Sequence, residues 1–116
     1  MTRQTLGREA ERRAEAFLRE KGMDILERNY RIREAEVDLI VRDGIYVVFV
    51  EVKARSGTAY GWPREAVNAR KRRRIALAAA CYLREKNCAD AFARFDVVEV
   101  LGERIVHWPN AFEAKE

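Results

Sequence analysis

Asp43-Gly44, set between two apolar runs, is the feature that most constrains this chain. Val37 and Leu39-Ile40-Val41 precede it, and Ile45 to Val50 follow. An Asp-Gly dipeptide in that setting predicts a two-residue hairpin turn. The turn pairs Arg42 with Ile45, Ile40 with Val47, Asp38 with Phe49 and Glu36 with Glu51. Side chains alternate faces along a strand, so Asp38, Glu51 and Lys53 emerge on one face. Asp38 and Glu51 become diagonal neighbours, with Cα atoms roughly 7–8 Å apart. A charge inside a strand is costly unless something answers it. Two carboxylates and a lysine gathered at one place point to a divalent cation and a phosphate. Both carboxylates can reach one ion through oxygen ligands at about 2.0–2.1 Å. A one-residue slip would send Asp38 to the opposite face, so this inference depends on the turn.

The 116 residues, 48% of them hydrophobic, make a single domain spanning 1–116 with a real core. No apolar run approaches membrane-spanning length. The segment Met1 to Arg8 lacks the apolar stretch of a secretory signal, so a cytoplasmic location is expected. Cys81 and Cys88, if they share a helix, lie about 10 Å apart along its axis, too far for a disulfide. They read as reduced thiols. Zinc is not expected, because there is no CxxC and His107 is the only histidine.

The net charge of +4 is local. Residues 64–74 hold Arg64, Arg70, Lys71, Arg72, Arg73 and Arg74 against Glu65 alone, a window of +5 in a chain otherwise at −1. Such a patch is the electrostatic footprint of a nucleic-acid binder. The plain alternative is a solvated helix face.

Leu6, Ala10, Ala14, Phe17 and Leu18 recur at helical spacing, so residues 4–21 form an amphipathic helix that Gly22 stops. Strands follow at 24–32, 36–42 and 45–53. Ser56 to Gly61 reads as a loop. Pro63 suits the first turn of a second, alanine-rich helix running to about Lys86. Phe95 to Leu101 is a fourth strand, and Arg104 to Trp108 a short fifth before Pro109. The order αβββαββ gives the α/β class, a mixed sheet flanked by helices.

Several residues compete for a role. At about 100° per residue, Glu11 falls at the margin of the apolar stripe and can lean toward the sheet; otherwise it is a surface glutamate near a helix start. Asp38 and Glu51 either bind metal or pair with Lys53 and nearby arginines. Glu36 opposite Glu51 would be destabilising without a cation between them. Lys53 can hold a water or a phosphate oxygen, and Arg55 the next phosphate; both can equally be exposed strand-end charge. Lys71 flanks the Ile75-Ala79-Tyr82-Leu83 stripe, facing either the cleft or the basic patch. Asp96 reads as structural, paired with Arg94 or a helix arginine, and His107 as structural too. Tyr60 and Trp62 can stack on a base or simply pack.

Asp38 with Glu51-Val52-Lys53 resembles the PD-(D/E)xK nuclease superfamily. The longer set is more specific: Gly7, Glu11, Ala14, Phe17-Leu18, Gly22, Asn29-Tyr30, Glu36 to Ile40, Val48 to Arg55, Lys71, Arg94 to Val98 and Asn110-Ala111-Phe112. It resembles the bacterial YraN family, itself similar to archaeal Holliday junction resolvases, over nearly the whole chain. One position departs. Where that family has glycine before Glu-x-Asp, this chain has Ala35, which tolerates positive φ poorly.

The resemblance implies a restriction-endonuclease-like fold. It implies Mg²⁺, with Mn²⁺ as a substitute, held by Asp38, Glu51 and the Val52 carbonyl. It places Glu11 near the metal or its water, and Lys53 on the attacking water. Arg55, Arg70, Lys71, Arg72, Arg73 and Arg74 would meet nucleic acid. The implied activity is a Mg²⁺-dependent endonuclease on DNA, including branched DNA such as Holliday junctions, and a homodimer is compatible with it. Two alternatives stay open: a non-catalytic nucleic-acid-binding module using the 64–74 patch, and a module docking an acidic protein.

Overall fold

A computed structural model describes residues 3–55 and 67–113 of the chain. Helix α1 (Arg3–Glu20) leads into strands β1 (Asp24–Arg31), β2 (Glu36–Asp43) and β3 (Tyr46–Arg55). Helix α2 (Ala69–Glu85) then precedes β4 (Phe92–Leu101) and β5 (Arg104–Phe112). The five strands form one mixed sheet in the order β1-β2-β3-β4-β5. Only β3 and β4 pair in parallel, and α2 lies in the connection between them. The αβββαββ order read from sequence is the observed one, and it is that of a restriction-endonuclease-like fold.

Each helix covers one face of the sheet. Ala14, Leu18 and Met23 pack with Val48, Val50 and Val98 on the α1 side. Ile75, Ala78, Ala79 and Tyr82 pack with Phe49, Phe95 and Val97 on the α2 side. Near-continuous apolar runs in β3 and β4 follow from this two-sided burial. Gly22 ends α1 at φ 92°, where its N–H donates to the Arg19 carbonyl and the Met23 N–H to the Leu18 carbonyl. That is a Schellman arrangement, and the accompanying Leu18 and Met23 side chains share one apolar cluster.

Three expectations are corrected. The hairpin turn is centred on Gly44-Ile45, so Asp43 pairs with Tyr46, Arg42 with Val47 and Ile40 with Phe49. Gly44 takes the positive φ of 61° that a glycine-first turn needs, while Asp43 stays in the strand with its carboxylate 3.0 Å from Arg94. The register is therefore two residues from the one read, and an even shift leaves every side chain on its face. Glu36 no longer opposes Glu51: it pairs with Arg31 across β1, with an ion pair at 3.2 Å.

The second helix does not run unbroken from Pro63. Val67 and Asn68 are non-helical, and Asn68 caps α2 by accepting from the Lys71 N–H at 2.9 Å. Pro63, Tyr60, Trp62, Arg64 and the Ser56 to Gly61 segment lie outside the described residues. Finally, β5 continues through Pro109 to Phe112, because a register shift opposite Asp96 absorbs the extra residues. Proline is tolerated there, on an edge strand at a bulge. Cys81 and Cys88 are both free thiols, and Cys88 falls beyond the end of α2. Ala35 does not adopt positive φ; among the described non-glycine residues only Asn29, Asn87 and Asn110 do.

Candidate functional site

The β2–β3 ladder runs as far as Leu39 opposite Val50, and the same alignment carries Asp38 beside Glu51. Beyond that point β2 bonds to β1, and the Val52 N–H turns to the Asp38 carboxylate at 2.8 Å. The two acids open into a cleft of about 570 Å³ between the β2 strand start and the first turns of α2. Glu34 and Glu36 line one side of it, and Arg70, Lys71 and Arg74 the other.

Electrostatics sets the two acids apart from ordinary surface carboxylates. Burial pushes the Asp38 carboxyl up to about 8; the Glu51 charge adds to the effect, the Val52 hydrogen bond opposes it, and Glu11 contributes at longer range. Glu51 is buried, and its Oε2 is ion-paired with Lys71 Nζ. Lys71 thus answers Glu51, while Asp38 is held by the Val52 N–H. The charge distribution of α2 reinforces this picture. Its first turn has no acidic residue, the reverse of what the helix dipole favours. A helix N-terminus with cations around it is a surface for anions.

The structure gathers some of the expected residues and separates others. Asp38, Glu51, Arg70, Lys71 and Arg74 meet in the cleft. Arg72 donates from Nε to the Val67 carbonyl at 2.9 Å, and Arg73 is exposed away from the cleft. Lys53 is half-buried two residues beyond Glu51 and, among the described residues, does not line the cleft or form an ion pair. Arg55 is held by the buried Glu99, Nε to Oε2 at 2.6 Å, and the Trp108 indole donates to the other Glu99 oxygen at 2.9 Å. Glu11 lies in a neighbouring hollow with Arg8, Arg12, Glu15 and Arg28. Its carboxylate accepts from Asn29 Nδ2 at 2.9 Å.

Sequence reasoning missed Asn29 as Glu11's holder and Glu99 as Arg55's. Asn29 carries a signal: it adopts φ 48°, which asparagine tolerates better than most residues. Glu99 carries one as well, being a charge inside the Val97-to-Leu101 apolar run. Asp96 pairs with Arg94, as expected, and His107 joins the same contact. Arg94 grips Asp96 through Nε at 2.9 Å and Nη2 at 3.0 Å, and His107 Nε2 sits 2.7 Å away.

Asp38, Glu51 and the Val52 backbone oxygen are the candidate metal donors, with Glu34 and Glu36 on the opposite side of the cleft from the cations. In a strand, N–H and C=O of one residue point to the same side, so the Val52 carbonyl shares the Asp38 side. Among the described residues no three acidic, histidine or cysteine side chains converge. The set still suits Mg²⁺, which keeps several waters and uses one or two carboxylates. An acid whose proton is held by burial beside a second acid is also one that a divalent cation would relieve.

The family model described as "Uncharacterised protein family UPF0102" matches residues 10–100. A UPF0102 protein of Desulforapulum autotrophicum is 47% identical over 96% of this chain and 95% of its own length. One from Pelotomaculum thermopropionicum is 44% identical over 95% of this chain and 97% of its own. One from Geotalea daltonii is 48% identical over 94% and 90%. Among the described residues no helix is long and apolar enough to cross a membrane.

Proposed function

The chain belongs to the UPF0102 family, and for this member we propose a Mg²⁺-dependent endonuclease that hydrolyses DNA phosphodiesters, with branched DNA among its substrates. One observation carries the reading. Asp38 and Glu51 lie side by side on one sheet face, Asp38 holding its proton through burial and the Glu51 charge, at the floor of a cleft rimmed by Arg70, Lys71 and Arg74. A structural acid pair gains nothing from that combination. A site for a divalent cation beside a phosphate is served by it.

In this reading Asp38, Glu51 and the Val52 carbonyl hold Mg²⁺, and Mn²⁺ can replace it. Once bound, the ion supplies Lewis acidity and a template for in-line attack. Lys53 orients the attacking water and helps deprotonate it. Glu11, fixed by Asn29, adds negative potential near the ion and its waters. Arg70 and Arg74 take the flanking phosphates, while the exposed Arg73 contributes to longer-range attraction.

A second reading has its own support. Lys53 and Glu11 stand outside the cleft, and Lys71 already answers Glu51. That arrangement also fits a nucleic-acid-binding module without catalysis. Cleavage of labelled linear, flap and four-way-junction DNA with Mg²⁺ or Mn²⁺ separates the two. The nuclease reading requires metal-dependent cutting that disappears in Asp38→Asn and Lys53→Ala. Salt-sensitive binding without cutting on any substrate, unchanged in Asp38→Asn, selects the binding module.

A further inference from the structure

The Glu51–Lys71 ion pair occupies the position that the metal reading assigns to a cation. Glu51 is only 5% exposed, so its charge needs a partner close by. Lys71 is anchored by its backbone: its N–H is bound by the Asn68 cap at 2.9 Å. Its side chain, by contrast, is 43% exposed and reaches the acid from the solvent edge of the cleft. A lysine ammonium on a four-carbon stem can move without disturbing the helix. Arg70 and Arg74 stand on the same cleft wall, one residue before Lys71 and three after it.

We propose that Lys71 serves two anions in turn, answering Glu51 while the acid pair is empty and passing to a nucleic-acid phosphate when a divalent cation takes its place. The proposal rests on the metal reading of Asp38 and Glu51. A divalent ion bound by Glu51 repels an ammonium at ion-pair distance, so the two do not share the carboxylate. The displaced ammonium stays on the cleft wall it shares with Arg70 and Arg74, which a phosphodiester backbone entering the cleft would meet. Lys71 therefore weakens metal binding in the free protein and couples metal binding to nucleic-acid binding. By linkage the coupling is reciprocal: nucleic acid that captures Lys71 raises metal affinity by the same factor.

The test uses the full chain and two binding measurements. Calorimetric titration with Mn²⁺ compares wild type with Lys71→Met, which keeps the stem and removes the charge. We expect Lys71→Met to bind Mn²⁺ roughly tenfold more tightly. Anisotropy of a labelled four-way junction at fixed ionic strength then measures DNA affinity with and without Mn²⁺. Both proteins carry Lys53→Ala so that the DNA stays intact. With Lys71 present, Mn²⁺ raises DNA affinity several-fold; with Lys71→Met, most of that increment is lost. Arg73→Met serves as the charge control, lowering DNA affinity equally with and without Mn²⁺. If wild type binds Mn²⁺ but Lys71→Met binds it no more tightly, the exchange is refuted and the metal site stands. If wild type does not bind Mn²⁺ at all, the metal reading and the exchange fall together.

Discussion

Asp38 and Asp96 are the same residue type, each inside a strand of the same sheet, yet their surroundings differ. Asp96 is fully buried and receives Arg94 twice, His107 Nε2 and the Asn110 N–H. Burial pushes its carboxyl up, but the bonds from His107, Arg94 and Asn110 outweigh it and hold the carboxyl below the ordinary 3.8. Lys21 Nζ lies 3.0 Å from His107 Nδ1, which extends the network to the end of α1. Asp38 is less buried and receives a single backbone N–H, with Glu51 as its neighbour. Depth of burial alone does not separate Asp38, the candidate ligand, from Asp96. What separates them is the supply of partners: Asp96 is surrounded by donors, while Asp38 has one N–H and an acidic neighbour, the setting in which the proposed cation would act.

The comparison breaks first at Asp96. Replacing it with alanine leaves Arg94 with Asp43 alone, takes the carboxylate from His107 and frees the bulge at Asn110, and should cost roughly 3–5 kcal/mol in urea unfolding. Its contribution has a defined pH window. A carboxyl depressed below 3.8 stabilises the fold above that pH, and the contribution disappears as pH falls through the lowered value.

Asp38→Asn should act in the opposite direction, stabilising the metal-free protein by on the order of 1–3 kcal/mol at pH 8. Here the folded-state value is raised to about 8 from 3.8, so ionisation opposes folding. The penalty is absent below pH 3.8, grows as pH rises and levels off above about 8. Thermal melts of both proteins across that range should therefore coincide in acid and diverge toward pH 8.

Mg²⁺ sharpens the contrast in a different way. At a hundredfold excess over its Kd it should stabilise wild type by about 2.7 kcal/mol and leave Asp38→Asn nearly unmoved. Equal shifts in both would place the ion elsewhere. The smallest effect belongs to Arg73→Glu, which puts an acid near the start of α2. Lying just past the first turn, it should change stability by no more than about 0.5 kcal/mol while weakening DNA binding.

Much of this was legible in the sequence, for physical reasons that vary by residue. The shared face of Asp38, Glu51 and Lys53 survived a wrong register because strand periodicity is two and the error was two. The register itself was not readable, since Asp43-Gly44 does not specify whether aspartate or glycine opens the turn. Gly44 opens it, and Asp43 goes to Arg94, a partner about fifty residues away that local pattern does not reveal. The basic run was visible as a patch but not as a divided one. Its division depends on where Asn68 starts the helix, which puts Arg70, Lys71 and Arg74 along the open cleft, Arg72 on the Val67 carbonyl and Arg73 away from the cleft. Pro109 read as an end because proline interrupts ladders; the edge position and the bulge opposite Asp96 remove that constraint. Asp96 was read correctly because its partner, Arg94, is two residues away.

The measurement that reaches the central claim most directly is a carboxyl-carbon NMR titration of aspartate-labelled protein, with and without Mg²⁺. The account predicts an Asp38 midpoint near 8 in the metal-free protein that moves to well below neutral when Mg²⁺ is bound, while Asp96 is unaffected. An Asp38 midpoint that titrates like a surface carboxylate and ignores Mg²⁺ would contradict it.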